Sequence, residues 1–318
     1  MDTANFSEER YQEIATEMRN ILLQVGWGKG KNKREMEESI KNDIPIIPMA
    51  GSLGENILKK SDKMPWWNGV DVNITTKPGE KAHVNCLLDC LNNLVNIPPR
   101  KVDTPMRAPV SQVLKIKGVG DVITSRIEQG EMKPGDEVVF LPTHTTSNPC
   151  TGKVFSVEMH HKSQERAGPG DNVGVNMKGL DKANMPSNGD IMIKKGDTTL
   201  KQCAKFTAQV QVLDHPGEIK PGYTPVGYIR TSHCALRLEK INKKMGKKTG
   251  GQWVEDPPHL EQNEAAEVVF VPQKPFVVES FENCEGLARL AVLEGGTVCM
   301  IGKVTNVEFA EAVVAKKK

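Results

Sequence analysis

Residues 112–142, QVLKIKGVGDVITSRIEQGEMKPGDEVVFLP, decide the fold of most of this chain. Short runs rich in valine and isoleucine alternate there with turn residues, and the apolar residues show no helical spacing. Gly118-Val119-Gly120 is typical of a hairpin, and Lys133-Pro134-Gly135-Asp136 is typical of a tight turn. The stretch therefore predicts three strands joined by these two turns.

The same pattern continues almost to the end of the chain, in FTAQVQVLD, TPVGYIRTSHCALRLEKI, AAEVVFVP and EGGTVCMIGKVTNV. A break falls near KKGDTTLKQCAKFTAQ. Short strands with many turns favour small closed barrels, because an open sheet would leave unprotected edges. We expect one β-barrel at residues 104–198, a second at residues 203–313, and a short basic tail at residues 314–318.

The first hundred residues have a different pattern. Apolar residues from Tyr11 to Val25 recur at spacings of three and four, which predicts a helix with Ser7 as its N-cap. DIPIIPMAG (43–51) predicts a strand, and AHVNCLLDCLNNLV (82–95) predicts a second helix. The order helix, strand, helix indicates an α/β segment.

This α/β segment, residues 1–98, ends at the proline-rich linker NIPPRKVDTPMRAP. Two amphipathic helices and one strand cannot close a sheet, because a lone buried strand leaves its backbone groups unpaired. We therefore expect that part of this fold lies upstream of Met1, and that Met1 is a cut.

Composition excludes few classes of protein. The formal net charge is only +2, so a nucleic-acid site would have to be a local patch. Seven cysteines include no C-x-x-C pair, and no apolar run reaches the ~20 residues of a membrane span. These features predict a reducing, cytoplasmic location, buried thiols and no membrane partner.

Eight ordered blocks carry a resemblance over essentially the whole chain. They are FSEERYQEI, MPWWNG, LPTHTTSNPCTGKVFSVEMHHKS, GPGDNVGVNMKGLD, VLDHPGEIKPGY, GGQWVEDP, FVVESF and NCEGLARLAVLEGGTVCMIGKV. They resemble the translation elongation factor GTPases, most closely the elongation factor-like proteins and their relatives of the elongation factor 1-alpha type. The resemblance implies an α/β remnant of a P-loop GTPase domain followed by two all-β barrels.

The family's guanine-reading motif, Asn-Lys-x-Asp, precedes the FSEER block, so Asp2 resembles its final aspartate. The turn MAGSLG resembles the second guanine-reading loop, in which Ala50, Gly51 and Ser52 stand. The family binds GTP and Mg²⁺ at full length. The sequence given contains no P-loop, no Asp-x-x-Gly and no switch region, so we expect neither cofactor nor GTP hydrolysis for this chain alone.

The resemblance also implies a site for the charged end of aminoacyl-tRNA. It assigns Glu158 to the terminal ribose and adenine, and Asn172 to the wall of the amino-acid pocket. Ser111, Gln112 and Leu114 line the same pocket, where they depart from the acidic and aromatic residues of bacterial relatives. Considered without its motif, Glu158 would be an ordinary solvated strand carboxylate.

The tRNA stem is the other expected contact. The resemblance places Arg230, Thr231 and His233 on a strand turned toward the stem backbone, where phosphate contacts position RNA without reading its sequence. Arg230 as a plain surface charge is the alternative. His160 and His161, as neighbours on a strand, would point to opposite faces, so no metal site is predicted. No catalytic arrangement is predicted in the barrels.

The predicted function is that of an elongation factor fragment, whose parent protein delivers aminoacyl-tRNA to the ribosome in a GTP-dependent cycle. Aminoacyl-tRNA, the ribosome and a guanine-nucleotide exchange factor are the expected partners. Two alternatives stay open: a nucleotide-independent RNA- or protein-binding module, and a relative that acts in termination or ribosome rescue.

Overall fold

The computed structural model describes residues 1–213, 215 and 217–310. It divides into two compact units, Met1–Pro99 and the part of the chain that begins at Arg100. The first unit mixes helices and strands, and the second contains two β-barrels. The predicted fold class, an α/β segment followed by two all-β barrels, is confirmed. The predicted basic tail, 314–318, lies outside the described residues.

Three helices and one hairpin form the first unit. Their bounds are α1 (Glu8–Gln24), α2 (Lys33–Asp43), β1 (Val70–Asn73), β2 (Lys81–Val84) and α3 (Leu87–Leu94). Helix α1 begins as predicted, because the Ser7 hydroxyl oxygen accepts a 3.2 Å hydrogen bond from the Arg10 backbone N–H. Gly26, with a φ of 79°, follows its end.

Two predictions for this unit are wrong. Residues 43–51 form no strand, and their backbone contributes only an isolated bridge between Ala50 and Glu55. The helix predicted at residues 82–95 is α3, which begins only at Leu87, whereas Ala82 to Val84 pair with β1 in a hairpin. The Asp89 carboxylate fixes this start, because it accepts the backbone N–H groups of Asn85 at 3.0 Å and Cys86 at 3.3 Å.

Helix α1 buries only part of its apolar face. Tyr11 and Ala15 lie in a small core with Met64 and Trp67, and the Tyr11 hydroxyl donates to the Ile46 carbonyl at 2.7 Å. The other apolar side chains of this face are more exposed, namely Ile14 at 38%, Met18 at 42% and Ile21 at 44%. The predicted helical periodicity is present, but the described residues bury only the N-terminal part of the apolar face. No helix in the described part of the chain is long and apolar enough to cross a membrane.

Six strands close the first barrel, in the order β5-β9-β3-β4-β8-β6 and back to β5, and β7 pairs with β6 at its side. Their bounds are β3 (Ala108–Ile116), β4 (Gly120–Arg126), β5 (Glu137–Leu141), β6 (Thr151–Met159), β7 (Lys162–Gln164), β8 (Asn172–Lys178) and β9 (Ile191–Lys194). The two predicted turns join β3 to β4 and precede β5. Gly118 and Gly135 have φ values of 85° and 96°, which only glycine adopts without strain.

The second barrel is closed in the same way, in the order β11-β15-β16-β10-β14-β12 and back to β11, with β13 paired beside β12. Its strands are β10 (Cys203–Val212), β11 (Val226–Ile229), β12 (Ser232–Met245), β13 (Val254–Glu255), β14 (Ala265–Pro272), β15 (Arg289–Glu294) and β16 (Thr297–Phe309). Alternate residues point inward, and Phe206 and Phe270 form the middle of the core with ring centroids 5.7 Å apart.

A buried cluster of charges joins the two barrels. Arg107, at the start of the first barrel, is 1% exposed. Its guanidinium donates to Asp197 at 2.6 Å, to Thr199 at 2.7 Å and to Glu279 of the second barrel at 3.2 Å. These groups therefore form one buried hydrogen-bonded cluster with members in both barrels.

Candidate nucleic-acid interface

A row of paired residues crosses the outer face of the first barrel. Gln112 on β3 pairs with Thr124 on β4, Thr124 pairs with Gly174 on β8, and Gly174 pairs with Glu158 on β6. The row spans three strand spacings, about 14 Å along the curved sheet. Gln112 and Glu158 are exposed at its two ends. Residues that are 46 positions apart in the sequence therefore share one surface.

Asn172 and Leu114 lie on the same outer face. Asn172 is two residues before Gly174 on β8, and Leu114 is two residues after Gln112 on β3, so both point outward. Gly174 leaves the middle of the face open, because a Cβ added there would meet nothing closer than Val122 Cγ1 at 3.8 Å. The structure thus brings together four of the five residues assigned to the aminoacyl end, around a shallow floor.

Ser111, the fifth, occupies a β-bulge. The register of β3 and β4 shifts between Val110 and Gln112, so Ser111 has no directly opposed residue on β4. It is half-buried, unlike its exposed neighbour Gln112. The bulge is a feature of strand pairing that the sequence did not reveal.

His160 and His161 were expected on a strand, but they lie in a turn. They are the two central residues of the turn between β6 and β7, with φ values of 52° and 61°. A two-residue hairpin of this hand needs positive φ at both positions, which excludes the alternating geometry assumed for a strand. Both imidazoles are exposed at the tip of the hairpin, next to the end of the row where Glu158 lies.

Arg126 is a residue that sequence reasoning missed. It is exposed at the end of β4, directly opposite Asn172 in the strand pairing. Its guanidinium has no ion-pair partner among the residues that the structure describes. The sequence could have indicated Arg126, because Thr124 and Arg126 are alternate residues of the predicted strand and therefore share its outer face. An unpaired cation beside Asn172 suits a phosphate or an ester oxygen.

The second barrel places its predicted residues differently from expectation. Arg230 and Thr231 form the turn between β11 and β12, and only His233 lies on a strand. The His233 ring stacks on Tyr228, with centroids 5.5 Å apart. Arg230 has a φ of 54°, which two-residue turns require. The prediction of one strand carrying all three side chains is therefore wrong for two of them.

The Arg230 side chain is engaged between the barrels. It donates to the Glu128 carboxylate of the first barrel at 2.7 Å and to the Gly286 carbonyl at 3.1 Å. The Glu128 side chain is 8% exposed. A Cβ at position 286 would lie 2.2 Å from Glu128 Oε2, so this contact needs glycine. Arg230 thus holds the turn of the second barrel against the first.

The Arg107 cluster has an uneven electrostatic balance. Burial acts to raise the pKa of Asp197, but hydrogen bonds from Thr199 and Arg107 outweigh it, and this pKa is lowered. Burial raises the pKa of Glu279, which Arg107 opposes only in part. Asp197 receives two hydrogen bonds from Thr199 besides the one from Arg107, and this difference explains the two directions.

The residues of the expected nucleotide remnant come together in the first unit. The Ser52 hydroxyl donates to Asp2 Oδ2 at 3.1 Å, although the two residues are 50 positions apart. The Thr3 backbone N–H, and then this hydroxyl, lower the pKa of Asp2. Gly51 begins a short 3-10 turn directly after the buried Ala50. The two loops expected to read guanine are therefore neighbours.

Comparisons with family models agree with both barrels. A model of elongation factor Tu domain 2 matches residues 120–199. A model described as GTP-eEF1A C-terminal domain-like matches residues 205–305. The first range covers strands β4 to β9 of the first barrel, and the second lies within the second barrel.

Whole-chain relatives have the name elongation factor 1-alpha. The protein of Thermococcus onnurineus (strain NA1) is 33% identical over 314 residues, which is 98% of this chain and 66% of that relative. The protein of Nanoarchaeum equitans (strain Kin4-M) is 34% identical over 316 residues, which is 99% of this chain and 66% of that relative. The chain therefore spans about two thirds of the length of the curated relatives it matches.

A crystal structure of sup35 complexed with GMPPNP has a similar fold. Its TM-score is 0.59 at 21% identity, over 96% of this chain and 66% of that chain. At this identity the likeness shows the fold alone. The narrower assignment to the elongation factor-like branch stays a prediction. On the sequence matches to both barrels and to the whole chain, this protein belongs to the translation elongation factor GTPase family.

Proposed function

We propose that the two barrels bind aminoacyl-tRNA, and that the full protein carries it to the ribosome in a GTP-dependent cycle. The observation that carries this proposal is the outer face of the first barrel, where Glu158, Asn172, Gln112 and Leu114 surround the open floor at Gly174. Such a face can accept an extended single-stranded end, whereas a closed pocket would not accept every amino acid.

The chemistry of these side chains suits a charged tRNA end. The Glu158 side-chain oxygens accept hydrogen bonds from the ribose hydroxyl and the adenine amino group. Asn172 offers an amide beside the amino acid, and Arg126 offers a cation to the ester or a phosphate oxygen. Leu114, which is 39% exposed, provides an apolar contact for the amino-acid side chain. The contacts of Glu158 and Arg126 do not depend on which amino acid or anticodon the tRNA carries.

In this proposal the second barrel positions the stem. Thr231 and His233 contact the phosphate backbone, while Arg230 acts through Glu128 to hold the barrels together. If the barrels are fixed, the distance between the stem contacts and the aminoacyl face is constant. This distance would suit the acceptor arm of tRNA, whose length is also constant.

The first unit would contribute to the nucleotide site of the full protein. There Asp2 accepts from the guanine edge, and the loop of Ala50, Gly51 and Ser52 lies beside it. GTP with Mg²⁺ supplies the reversible ordering that closes and opens family members around their cargo. A guanine-nucleotide exchange factor, the ribosome and a cytoplasmic location belong to the same proposal.

We predict that Glu158→Gln weakens binding of phenylalanyl-tRNA to this chain by roughly 10- to 150-fold, because a charge-assisted hydrogen bond is worth about 1.5–3 kcal/mol. The measurement is the rate of spontaneous ester hydrolysis at increasing protein concentration. Bound chain shields the ester, so the variant requires more protein for equal protection.

The matched control is Glu165→Gln, which removes the same charge from another exposed glutamate of the first barrel. It should protect the ester as the wild type does. An equal loss of ester protection in both variants would show that the effect comes from the change in net charge and not from Glu158 itself. If neither the chain nor a longer version that includes the GTP-binding domain shields the ester, the tRNA-carrier proposal fails and a rescue-type protein partner becomes the better candidate.

A second prediction concerns the nucleotide. Asp2 and the Ser52 loop can contact only the base, and most charge-assisted hydrogen bonds to a nucleotide go to its phosphates. We therefore expect no saturable binding of fluorescent GTP to this chain at micromolar concentrations, measured by fluorescence anisotropy. Micromolar or tighter binding would show that residues other than Asp2 and the Ser52 loop hold the phosphates.

A further inference from the structure

An imidazole and two carboxylates converge on the second barrel, and none of them belongs to the proposed RNA contacts. They belong to Glu218, His259 and Glu261. An isolated antiparallel bridge between Ile219 and Leu260 brings the two segments together, with backbone hydrogen bonds of 2.9 Å and 2.8 Å. Ile219 and Leu260 are 1% and 0% exposed, so their side chains anchor the bridge in the barrel core.

The three side chains present one ligand atom each to a common point. His259 Nε2 lies 3.3 Å from Glu261 Oε1 and 3.7 Å from Glu218 Oε1, and all three ligand atoms lie within 4.8 Å of one another. In a tetrahedral site with metal–ligand bonds of about 2.0–2.1 Å, neighbouring ligand atoms are about 3.3 Å apart. Two of the three separations already approach that value.

Lysines hold the opposite oxygens of both carboxylates. Lys220 contacts Glu218 Oε2 at 2.8 Å, and Lys248 contacts Glu261 Oε2 at 2.5 Å. Each Oε1 therefore faces the imidazole, while each Oε2 has its own partner. Outer partners of this kind orient the ligands of metal sites without occupying the coordination position.

A buried carboxylate lies behind Glu261. Glu264 is 4% exposed, and its Oε2 accepts the Glu261 backbone N–H at 2.7 Å. Lys244 contacts the same oxygen at 3.0 Å, whereas Glu264 Oε1 is buried without a hydrogen-bond partner in the described part of the chain. The backbone of Glu261 is thus fixed, and acceptor capacity remains unused beside the cluster.

We propose that Glu218, His259 and Glu261 form a binding site for a divalent transition-metal ion of the Zn²⁺ type. Imidazole nitrogen with carboxylate oxygen is a donor set that suits Zn²⁺ and disfavours Mg²⁺ or Ca²⁺, which take oxygen ligands. Three protein ligands leave one position for water or for an atom of a partner. The ion would tie the loop before β11 to the segment before β14.

The test is metal binding by the whole chain after treatment with a chelator. Zn²⁺ is titrated by calorimetry, and Co²⁺ is titrated by visible absorption, whose intensity reports four-coordinate geometry. We expect one ion per chain, with affinity falling at least tenfold in His259→Gln and in Glu218→Gln. The circular dichroism spectra should not change, because all three side chains lie outside the core.

The matched control is the double variant His160→Gln and His161→Gln, which removes two neighbouring imidazoles from the first barrel. Retained affinity in this control, together with loss in His259→Gln, supports the site. Equal affinity of the wild type and His259→Gln overturns it, as does an absence of saturable binding up to about 100 μM. Failure here would leave the tRNA proposal intact, since no residue is shared.

Discussion

Replacing Arg107 with methionine is expected to lower the free energy of unfolding of the two-barrel unit by about 3–5 kcal/mol at pH 7. Methionine fills much of the same volume, but it leaves Asp197 and Glu279 without their cation. Their side chains are 10% and 5% exposed, so water cannot fully replace the guanidinium. A buried charge that loses its paired cation costs far more than the intact pair contributes.

Urea denaturation followed by circular dichroism measures this effect, with Arg126→Met as the matched control. Arg126 is an exposed arginine of the same barrel, so its loss should change the unfolding free energy by no more than about 0.5 kcal/mol. Similar midpoints for Arg107→Met and the wild type would show that the buried cluster does not hold the barrels together.

The cost of Arg107→Met should shrink as the pH falls from 7 towards 4. Without Arg107, burial raises the folded-state pKa of Glu279 further above its unfolded value of about 4. The folded variant therefore takes up protons first and gains stability on acidification. In the wild type the lowered pKa of Asp197 has the opposite effect, because its contribution is lost as the pH falls. A gap that widens in acid would contradict this account.

Replacing Phe270 with alanine is the other large effect, a loss of about 3–5 kcal/mol in the second barrel. The ring is 0% exposed and packs against Phe206, its direct partner in the pairing of β10 and β14. Removing it opens a cavity that the closed sheet cannot collapse to fill, because six hydrogen-bonded strands fix the diameter of the barrel.

Amide hydrogen exchange of β10 and β14 locates this loss, since faster exchange should be confined to the second barrel. Phe155→Ala is the matched control, because this ring is 54% exposed on the first barrel and contacts Lys178 from outside. We expect it to cost less than about 1 kcal/mol. Equal effects of the two variants would mean that Phe270 is not a central core residue.

Local sequence determined most of the architecture. Alternating apolar residues, together with Gly118 and Gly135, predicted the strands and turns around residues 112–142, because a strand needs only period-two burial and a turn needs only the right backbone freedom. Ser7 likewise predicted the start of α1, since an N-cap acts within four residues. These are short-range effects, and one sequence is enough to reveal them.

The errors arose where distant groups decide the structure. The strand expected at residues 43–51 has no neighbouring strand to pair with beyond one isolated bridge. Ala82 to Val84, expected in a helix, pair with β1 instead. Arg230 had the pattern of a surface arginine, but Glu128, 102 positions away, engages it between the barrels. No local pattern encodes a partner at that separation.

The sequence by itself therefore determined the class of fold and the family. Through the family resemblance it also predicted the residues that we propose contact RNA. Only the tertiary structure decided which residues share a surface: Glu158 and Gln112 lie at the two ends of one row across four paired strands. His259 lies beside Glu218 because a bridge joins their two loops. The physical reason is that backbone preference and burial period are properties of neighbouring residues. A site is a property of the register between strands, and barrel closure sets that register.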